Sequence, residues 1–125
     1  MSGGAWLVFL LAAGIGAPAR YLVDGLVQDR TSGAFPWGTF VVNVTGCFLL
    51  GVLTGMGLYH DLDPTLHTVV GTGGLGAYTT FSTFSFETVR LAEEGAMNEA
   101  MRNAAGSFLA GLAAAAVGLA VASVG

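Results

Sequence analysis

The stretch GTGGLGAYTTFSTFSFET, from Gly71 to Thr88, decides what kind of helix the third apolar segment of this chain can form. It contains four glycines, eight hydroxyl side chains and three phenylalanines. Because each glycine costs about 1 kcal/mol relative to alanine in a helix, residues 71–79 predict a broken helix. Broken backbone at membrane depth is tolerated only where it is buried in protein or lines a cavity. The stretch therefore predicts either a buried interface or the wall of a pathway.

The composition of the whole chain predicts a membrane protein. Only 10% of its 125 residues are charged, and the mean hydropathy is +0.71, whereas about 25% of a typical soluble domain is charged. Four nearly uncharged windows are long enough for the roughly 20 residues of a membrane-spanning helix: residues 3–23, 35–59, 64–86 and 103–125. A buried soluble bundle would need charged outer faces that these windows lack. We predict an all-α integral protein of the cell membrane, with four transmembrane helices in one domain, residues 1–125.

The predicted helices cover residues 4–27, 36–58, 65–91 and 101–123, and polar loops join them. Small residues one turn apart, which let membrane helices approach closely, occur at Gly51 and Gly55. The last segment repeats this spacing at Ala110, Ala114 and Gly118. One four-helix subunit is too small to enclose a pathway, so we also expect an oligomer.

The arginines suggest an orientation in the membrane. Arg30, Arg90 and Arg102 lie in or beside the first and third loops, and the opposite side has no lysine or arginine. The positive-inside rule then places these two loops in the cytoplasm and both termini outside. The net charge of −4 and the lack of a basic patch argue against nucleic acid as a partner.

Two polar residues inside the predicted spans each leave two interpretations open. Arg20 either reaches the membrane surface with Asp24 as its partner, or forms an electropositive vestibule for an anion. Asn43 either makes an interhelical hydrogen bond, or presents its amide N–H donors to a permeating ion.

The phenylalanines after the predicted break suggest an anion site. Phe81 and Phe84 are three residues apart and share a helix face, with Ser82 and Thr83 between them. The edge of an aromatic ring carries a partial positive charge, so two ring edges beside hydroxyl and amide donors would suit a small anion. The alternative is a glycine-rich packing helix whose hydroxyls bond back to its own carbonyls.

Other chemistry finds little support in the sequence. No paired acids lie within the spans, the chain has no nucleophile–base pattern, and the spacing of the histidines and acids between His60 and His67 matches no zinc site. A small four-helix drug exporter would need an acid in the middle of a span to exchange protons, and we find none there. The single Cys47 is expected to serve packing.

Three motifs resemble the Fluc/CrcB family of fluoride channels: GAPARY (16–21), GTFVVNVTGCFLLG (38–51) and GAYTTFSTFSFE (76–87). The resemblance covers most of the chain. It implies a fluoride-selective channel that exports fluoride passively across the plasma membrane and lowers its toxicity in the cytoplasm. It also implies an antiparallel, dual-topology dimer with two pores and a structural Na⁺ ion at the dimer interface.

The resemblance assigns roles to individual residues. It implies that Phe81 and Phe84 line the fluoride pore, together with a set of polar residues: Arg20, Asn43, Ser82, Thr83 and Ser107. It implies that the backbone carbonyls of Gly76 and Thr79 bind the sodium ion. Glu87 closes the motif, and neither the resemblance nor the spacing gives it a role.

The last segment departs from the family pattern, which has a tyrosine followed by hydroxyls at turn spacing. Asn103 replaces the tyrosine, Ser107 matches the first hydroxyl, and Gly111 and Ala115 replace the later ones. Together with the arginine bias, this motivates the hypothesis of a subunit with fixed orientation that pairs with an inverted paralogue. A structural or assembly subunit without transport is the remaining alternative.

Overall fold

A computed structural model describes residues 1–124, and helices are the only regular secondary structure among them. Helix α1 is Gly3–Asp29, α2 is Trp37–Tyr59, and α3 covers residues 64–78. Helix α4 is Phe81–Glu93 and α5 is Met97–Ala122. The all-helical prediction is therefore confirmed for the described residues.

Three of these helices, α1, α2 and α5, are long and apolar enough to cross a membrane. The Ser2 hydroxyl starts α1 by accepting a hydrogen bond from the Ala5 amide at 3.1 Å, as expected of an N-cap serine. The third predicted span, residues 65–91, is divided between α3 and α4. Neither of these is long enough to cross a bilayer alone.

Helical backbone is lost at a different place from the one predicted in the glycine-rich stretch. Helix α3 is α-helical over Pro64–His67, widens to a π-helix over Thr68–Leu75, and is α-helical again over Gly76–Tyr78. The extended residues are Thr79 (φ −79°, ψ 164°) and Thr80 (φ −148°, ψ 122°). The glycines thus widen the helix, and two threonines interrupt it.

Close packing against α1 explains why the glycines stay helical. A Cβ atom on Gly16 would overlap the Gly74 carbonyl, and one on Gly73 would lie 3.0 Å from the Phe9 carbonyl oxygen. Tertiary contacts that need a bare backbone offset the helix cost of glycine. Gly73 and Gly74 of α3 therefore lie where α1 approaches closely.

Helices α2 and α5 pack against each other along most of their length through small residues. Added Cβ atoms would overlap the Ala115 backbone at Gly51, the Phe48 carbonyl at Gly118, and the Ala122 side chain at Gly55. The prediction for Gly51 and Gly55 is confirmed. On α5 the predicted Gly118 is buried, whereas Ala110 and Ala114 are only half-buried, and the other buried small residues are Ala100, Gly111 and Ala122.

The ends of the helices alternate between two sides of the bundle. At one end, Phe35 of the first loop lines the same pocket as Arg102, near the start of α5. At the other end, His60 Nε2 lies 2.7 Å from the Ala122 carbonyl oxygen. The first and third loops therefore share one side, as the arginine argument requires, while the assignment of that side to the cytoplasm stays a prediction.

Candidate functional site

An open groove of about 470 Å³ lies where α2, the Thr79–Thr80 interruption and α5 meet. Its lining is mostly apolar and combines five of the residues singled out from the sequence with neighbours on three helices. Those five are Asn43, Thr79, Phe81, Phe84 and Ser107.

Asn43 binds the backbone at the interruption with both ends of its amide. Its Oδ1 accepts a hydrogen bond from the Thr80 N–H, and its Nδ2 donates to the Thr80 carbonyl oxygen, each at 2.9 Å. An amide has two N–H donors, and within residues 1–124 the second one has no protein partner. The interhelical interpretation of Asn43 is therefore correct, and one donor remains for the groove that Asn43 lines.

Thr80, which the sequence reasoning did not single out as a site residue, restarts the helix. Its side-chain Oγ1 accepts a hydrogen bond from the Thr83 N–H at 3.1 Å, as an N-cap residue does. The residue is buried, with 8% of its surface exposed. A threonine immediately before the first apolar residue of the restarted helix was the signal available in the sequence.

Phe81 and Phe84 lie side by side on α4, as their spacing predicts. Their ring centroids are 6.0 Å apart and the ring planes are inclined by 45°. Phe84 is half-buried, whereas 79% of Phe81 is exposed on the isolated chain. Both rings line the groove, so the predicted aromatic pair exists and one member has an open face.

Three of the predicted pore residues lie outside the groove. Ser82 and Thr83 are exposed on α4, and Ser82 Oγ is 3.4 Å from Thr80 Oγ1. Arg20 is half-buried on α1 and forms no ion pair with Asp24 in the described structure. Asp24 instead accepts a hydrogen bond from Gln28 Nε2 at 2.9 Å. The interpretation in which Arg20 has Asp24 as its partner is therefore not supported by the described structure.

Two backbone carbonyls at the interruption receive no helical hydrogen bond, because the N–H groups that would donate to them bond to side chains instead. In a continuous α-helix the Thr80 N–H would bond the Gly76 carbonyl, and the Thr83 N–H would bond the Thr79 carbonyl. The Thr80 N–H is taken by Asn43 Oδ1 and the Thr83 N–H by Thr80 Oγ1. Carbonyls released from a helix in this way are the ligands that sodium sites in membrane proteins use. The donor set of Gly76 and Thr79 therefore fits a Na⁺ ion.

Asn103 connects α5 to α4 through a fully buried amide with no exposed surface. Its Nδ2 donates to Thr88 Oγ1 at 2.7 Å and lies 3.5 Å from the Phe84 carbonyl oxygen. Its Oδ1 accepts a hydrogen bond from Ser107 Oγ at 3.1 Å. The residue that departs from the family pattern is thus the centre of a polar network that reaches the groove.

Glu87, the acid without an assigned role, lies in the middle of α4 beside Thr39. Its Oε1 atom is buried and has no hydrogen-bond partner among the described residues. No group of three potential metal ligands occurs in residues 1–124, which includes the histidines and acids between His60 and His67 near the opposite end of the bundle. His67 there contacts the Thr54 hydroxyl at 3.3 Å.

Comparison with known proteins identifies the family. The family model described as CrcB-like protein, Camphor Resistance (CrcB), matches residues 7–119. A relative from Streptomyces avermitilis, named Fluoride-specific ion channel FluC 1, is 51% identical over 91% of this chain and 92% of its own length. A Frankia casuarinae relative with the same name is 48% identical over 94% and 95%. One from Mycobacterium tuberculosis, Fluoride-specific ion channel FluC 2, is 44% identical over 95% and 91%.

These matches confirm the resemblance drawn from the three sequence motifs. They cover all four predicted segments, and the relatives are named as ion channels, which are not enzymes. Together with the three helices that can cross a bilayer, they make this chain a multi-pass membrane protein that belongs to the CrcB-like family.

Proposed function

We propose that this chain is a subunit of a fluoride-selective channel that carries fluoride passively out of the cytoplasm across the plasma membrane. Relatives of 44–51% identity are named fluoride-specific ion channels. The observation that carries the proposal for this chain is the groove in which Asn43, Phe81 and Phe84 meet. Passive export requires neither a nucleotide nor a proton relay.

The groove offers the chemistry that a small anion needs. Asn43 contributes its second N–H, and the two phenylalanines contribute ring edges with partial positive charge. Donors fixed in a mostly dry site interact more strongly than the same donors in water. Because no full positive charge lines the groove, an anion can be attracted and still leave.

A sodium ion bound by the Gly76 and Thr79 carbonyls would support this arrangement. The ion would supply positive charge and a fixed point at the helix interruption, where released carbonyls are available. Gly76 is exposed on the isolated chain, so its carbonyl can also face a second subunit. We therefore propose that the ion is structural and lies at the dimer interface.

A second subunit is needed to close the groove. Phe81 is 79% exposed on the isolated chain, and a pore that excludes lipid must cover such a ring. We propose an antiparallel, dual-topology homodimer, in which two copies each supply one such surface. The alternative is a subunit of fixed orientation paired with an inverted paralogue, which the bias of three arginines to none between the two sides favours.

Fluoride efflux from liposomes that contain only this protein tests the proposed pore. We expect Phe81→Ile and Asn43→Ala to lower fluoride efflux at least about tenfold, equivalent to about 1.4 kcal/mol in the barrier. Phe86→Ile is the matched control, because Phe86 is exposed on the same helix and does not line the groove. Chloride efflux measures leak. Native efflux in both pore variants would move the pore elsewhere.

A further inference from the structure

The direction of each hydrogen bond around Asn103 follows from Thr88. Thr88 Oγ1 lies 2.8 Å from the Phe84 carbonyl oxygen. Because that oxygen only accepts and a hydroxyl has one proton, Thr88 donates its proton there. The Asn103 atom 2.7 Å from Thr88 Oγ1 must then be the donor Nδ2. A hydrogen-bond network of this kind fixes the orientation of an amide.

The orientation of the amide fixes the direction of the Ser107 hydroxyl. With Nδ2 turned toward Thr88, the Asn103 oxygen Oδ1 faces Ser107 Oγ at 3.1 Å. Since Oδ1 is an acceptor, Ser107 donates its only proton to it. The reverse orientation would bring Oδ1 toward the Phe84 carbonyl, which Nδ2 now faces at 3.5 Å, and would set two acceptors against each other.

Ser107 therefore presents an acceptor to the groove that it lines. An anion is stabilised by hydrogen-bond donors, and the lone pairs of a hydroxyl oxygen repel it. The donors that remain for an anion in the described part of the groove include the second Asn43 N–H and the edges of the two rings.

We propose that Asn103 is a positioning residue that keeps the Ser107 hydroxyl from binding the permeating anion. The anion then passes this position without being held there. This inference rests on the proposed function, because it requires fluoride to travel along the groove. It replaces the role that the family resemblance implies for Ser107, a direct contact with fluoride.

Double-mutant cycles in the fluoride efflux assay test the proposal, because they isolate the coupling between two side chains. Ser107→Ala is introduced into the native chain, into Asn103→Leu, which has no acceptor for the hydroxyl, and into Thr88→Val. The Thr88 variant is the matched control. It disturbs the same network but leaves Asn103 Nδ2 facing the Phe84 carbonyl, so that Oδ1 still takes the Ser107 proton.

We expect Ser107→Ala to change fluoride efflux by less than about twofold in the native and Thr88→Val chains, and to raise it about fivefold or more in Asn103→Leu, where the freed hydroxyl holds the anion. Only in the last background is the hydroxyl proton free to bind the anion. A purely structural role of Asn103 would give Asn103→Leu and Thr88→Val the same coupling to Ser107. A fivefold change of efflux from Ser107→Ala in the native chain, or no gain in Asn103→Leu, overturns the proposal.

Two controls keep the outcome interpretable. If Asn103→Leu does not purify as a folded protein, Asn103→Ala takes its place in the cycle. Phe81→Ile in the native chain separates the two levels of the argument. If Phe81→Ile loses efflux but the double-mutant cycle shows no coupling between Ser107 and Asn103, only the role of Asn103 is rejected. If Phe81→Ile keeps native efflux, both the proposed pore and the positioning role are rejected.

Discussion

Single side chains replace the helical hydrogen bonds at the interruption between α3 and α4. Asn43 takes the N–H and carbonyl of Thr80, and the Thr80 hydroxyl takes the N–H of Thr83. An unsatisfied buried backbone group costs about 1–3 kcal/mol, so these contacts stabilise the extended conformation inside the protein. They also release the carbonyls of Gly76 and Thr79, which links the geometry of the groove to the proposed cation.

The Asn43 amide can be tested by a substitution that keeps its size. Asn43→Asp retains an acceptor for the Thr80 N–H but places a carboxylate oxygen against the Thr80 carbonyl, where Nδ2 now donates at 2.9 Å. We expect a loss of about 1–3 kcal/mol in the free energy of unfolding, measured by chemical denaturation in detergent. We also expect fluoride efflux to fall, because the new charge repels an anion.

Asn98→Asp is the control for this substitution. Asn98 is exposed near the start of α5 and lies outside the groove, so the same change in charge there should leave both quantities near native. If Asn43→Asp and Asn98→Asp destabilise the protein equally, the Asn43–Thr80 pair does not hold the interruption.

At the scale of single residues, the sequence could identify side chains but not their partners. It left two interpretations of Asn43 open. The structure shows the hydrogen bond to another segment, and one amide N–H remains for the second interpretation, a contact with a permeating ion. The Arg20–Asp24 pair, one of two interpretations of Arg20, was inferred from spacing alone and is not formed in the described structure, where Asp24 accepts a hydrogen bond from Gln28. Asn103 was visible only as a departure from a family pattern. Its network joins residues 15 and 19 positions apart in sequence, which no local pattern reveals.

At the scale of elements, glycine decides how closely helices approach. Four apolar segments could be predicted from hydropathy because a bilayer fixes their length. The effect of the glycines on the backbone could not be predicted, because the helix cost of Gly73 is offset by its close contact with Phe9 on another helix. The same limit applies on α5, where spacing correctly favoured Gly118, but Gly111 and Ala122 are buried instead of Ala110 and Ala114.

The α2–α5 contact predicts a strong effect of one added methyl group. A Cβ atom at Gly118 would overlap the Phe48 carbonyl and lie 2.8 Å from the Val52 amide nitrogen. Since these are backbone atoms, Gly118→Ala must separate the helices, and overpacking of this kind costs about 1–3 kcal/mol. We expect a lower thermal unfolding midpoint in detergent, followed by circular dichroism.

Gly106→Ala on the same helix is the matched control, because no atom lies within 4 Å of its added Cβ. Its unfolding midpoint should stay near or above that of the native chain, since alanine favours a helix over glycine. Equal losses at both positions would indicate that helix propensity, rather than the contact between α2 and α5, controls the stability of α5.

At the scale of the whole molecule, orientation in the membrane determines which dimer can form. The first and third loops share one side, and Arg30, Arg90 and Arg102 lie in or beside them. This concentration of arginines on one side favours a single orientation in the membrane. The open groove with its exposed Phe81 needs a partner surface, and an antiparallel homodimer needs copies in both orientations. The two requirements oppose each other, and a labelling experiment separates them.

Cysteine labelling from outside intact cells measures the orientation directly. In a Cys47→Ala background, which removes the only native cysteine, we would introduce Ser32→Cys in the first loop or Thr65→Cys at the start of α3, both exposed on opposite sides of the bundle. For the proposed homodimer, a membrane-impermeant thiol reagent should label both sites partially, because each faces outward in some copies. Labelling of the Thr65 site alone would mean that every copy has its arginine-rich loops inside. The partner must then be an inverted paralogue, and liposomes with this chain alone should lack fluoride efflux until that paralogue is added.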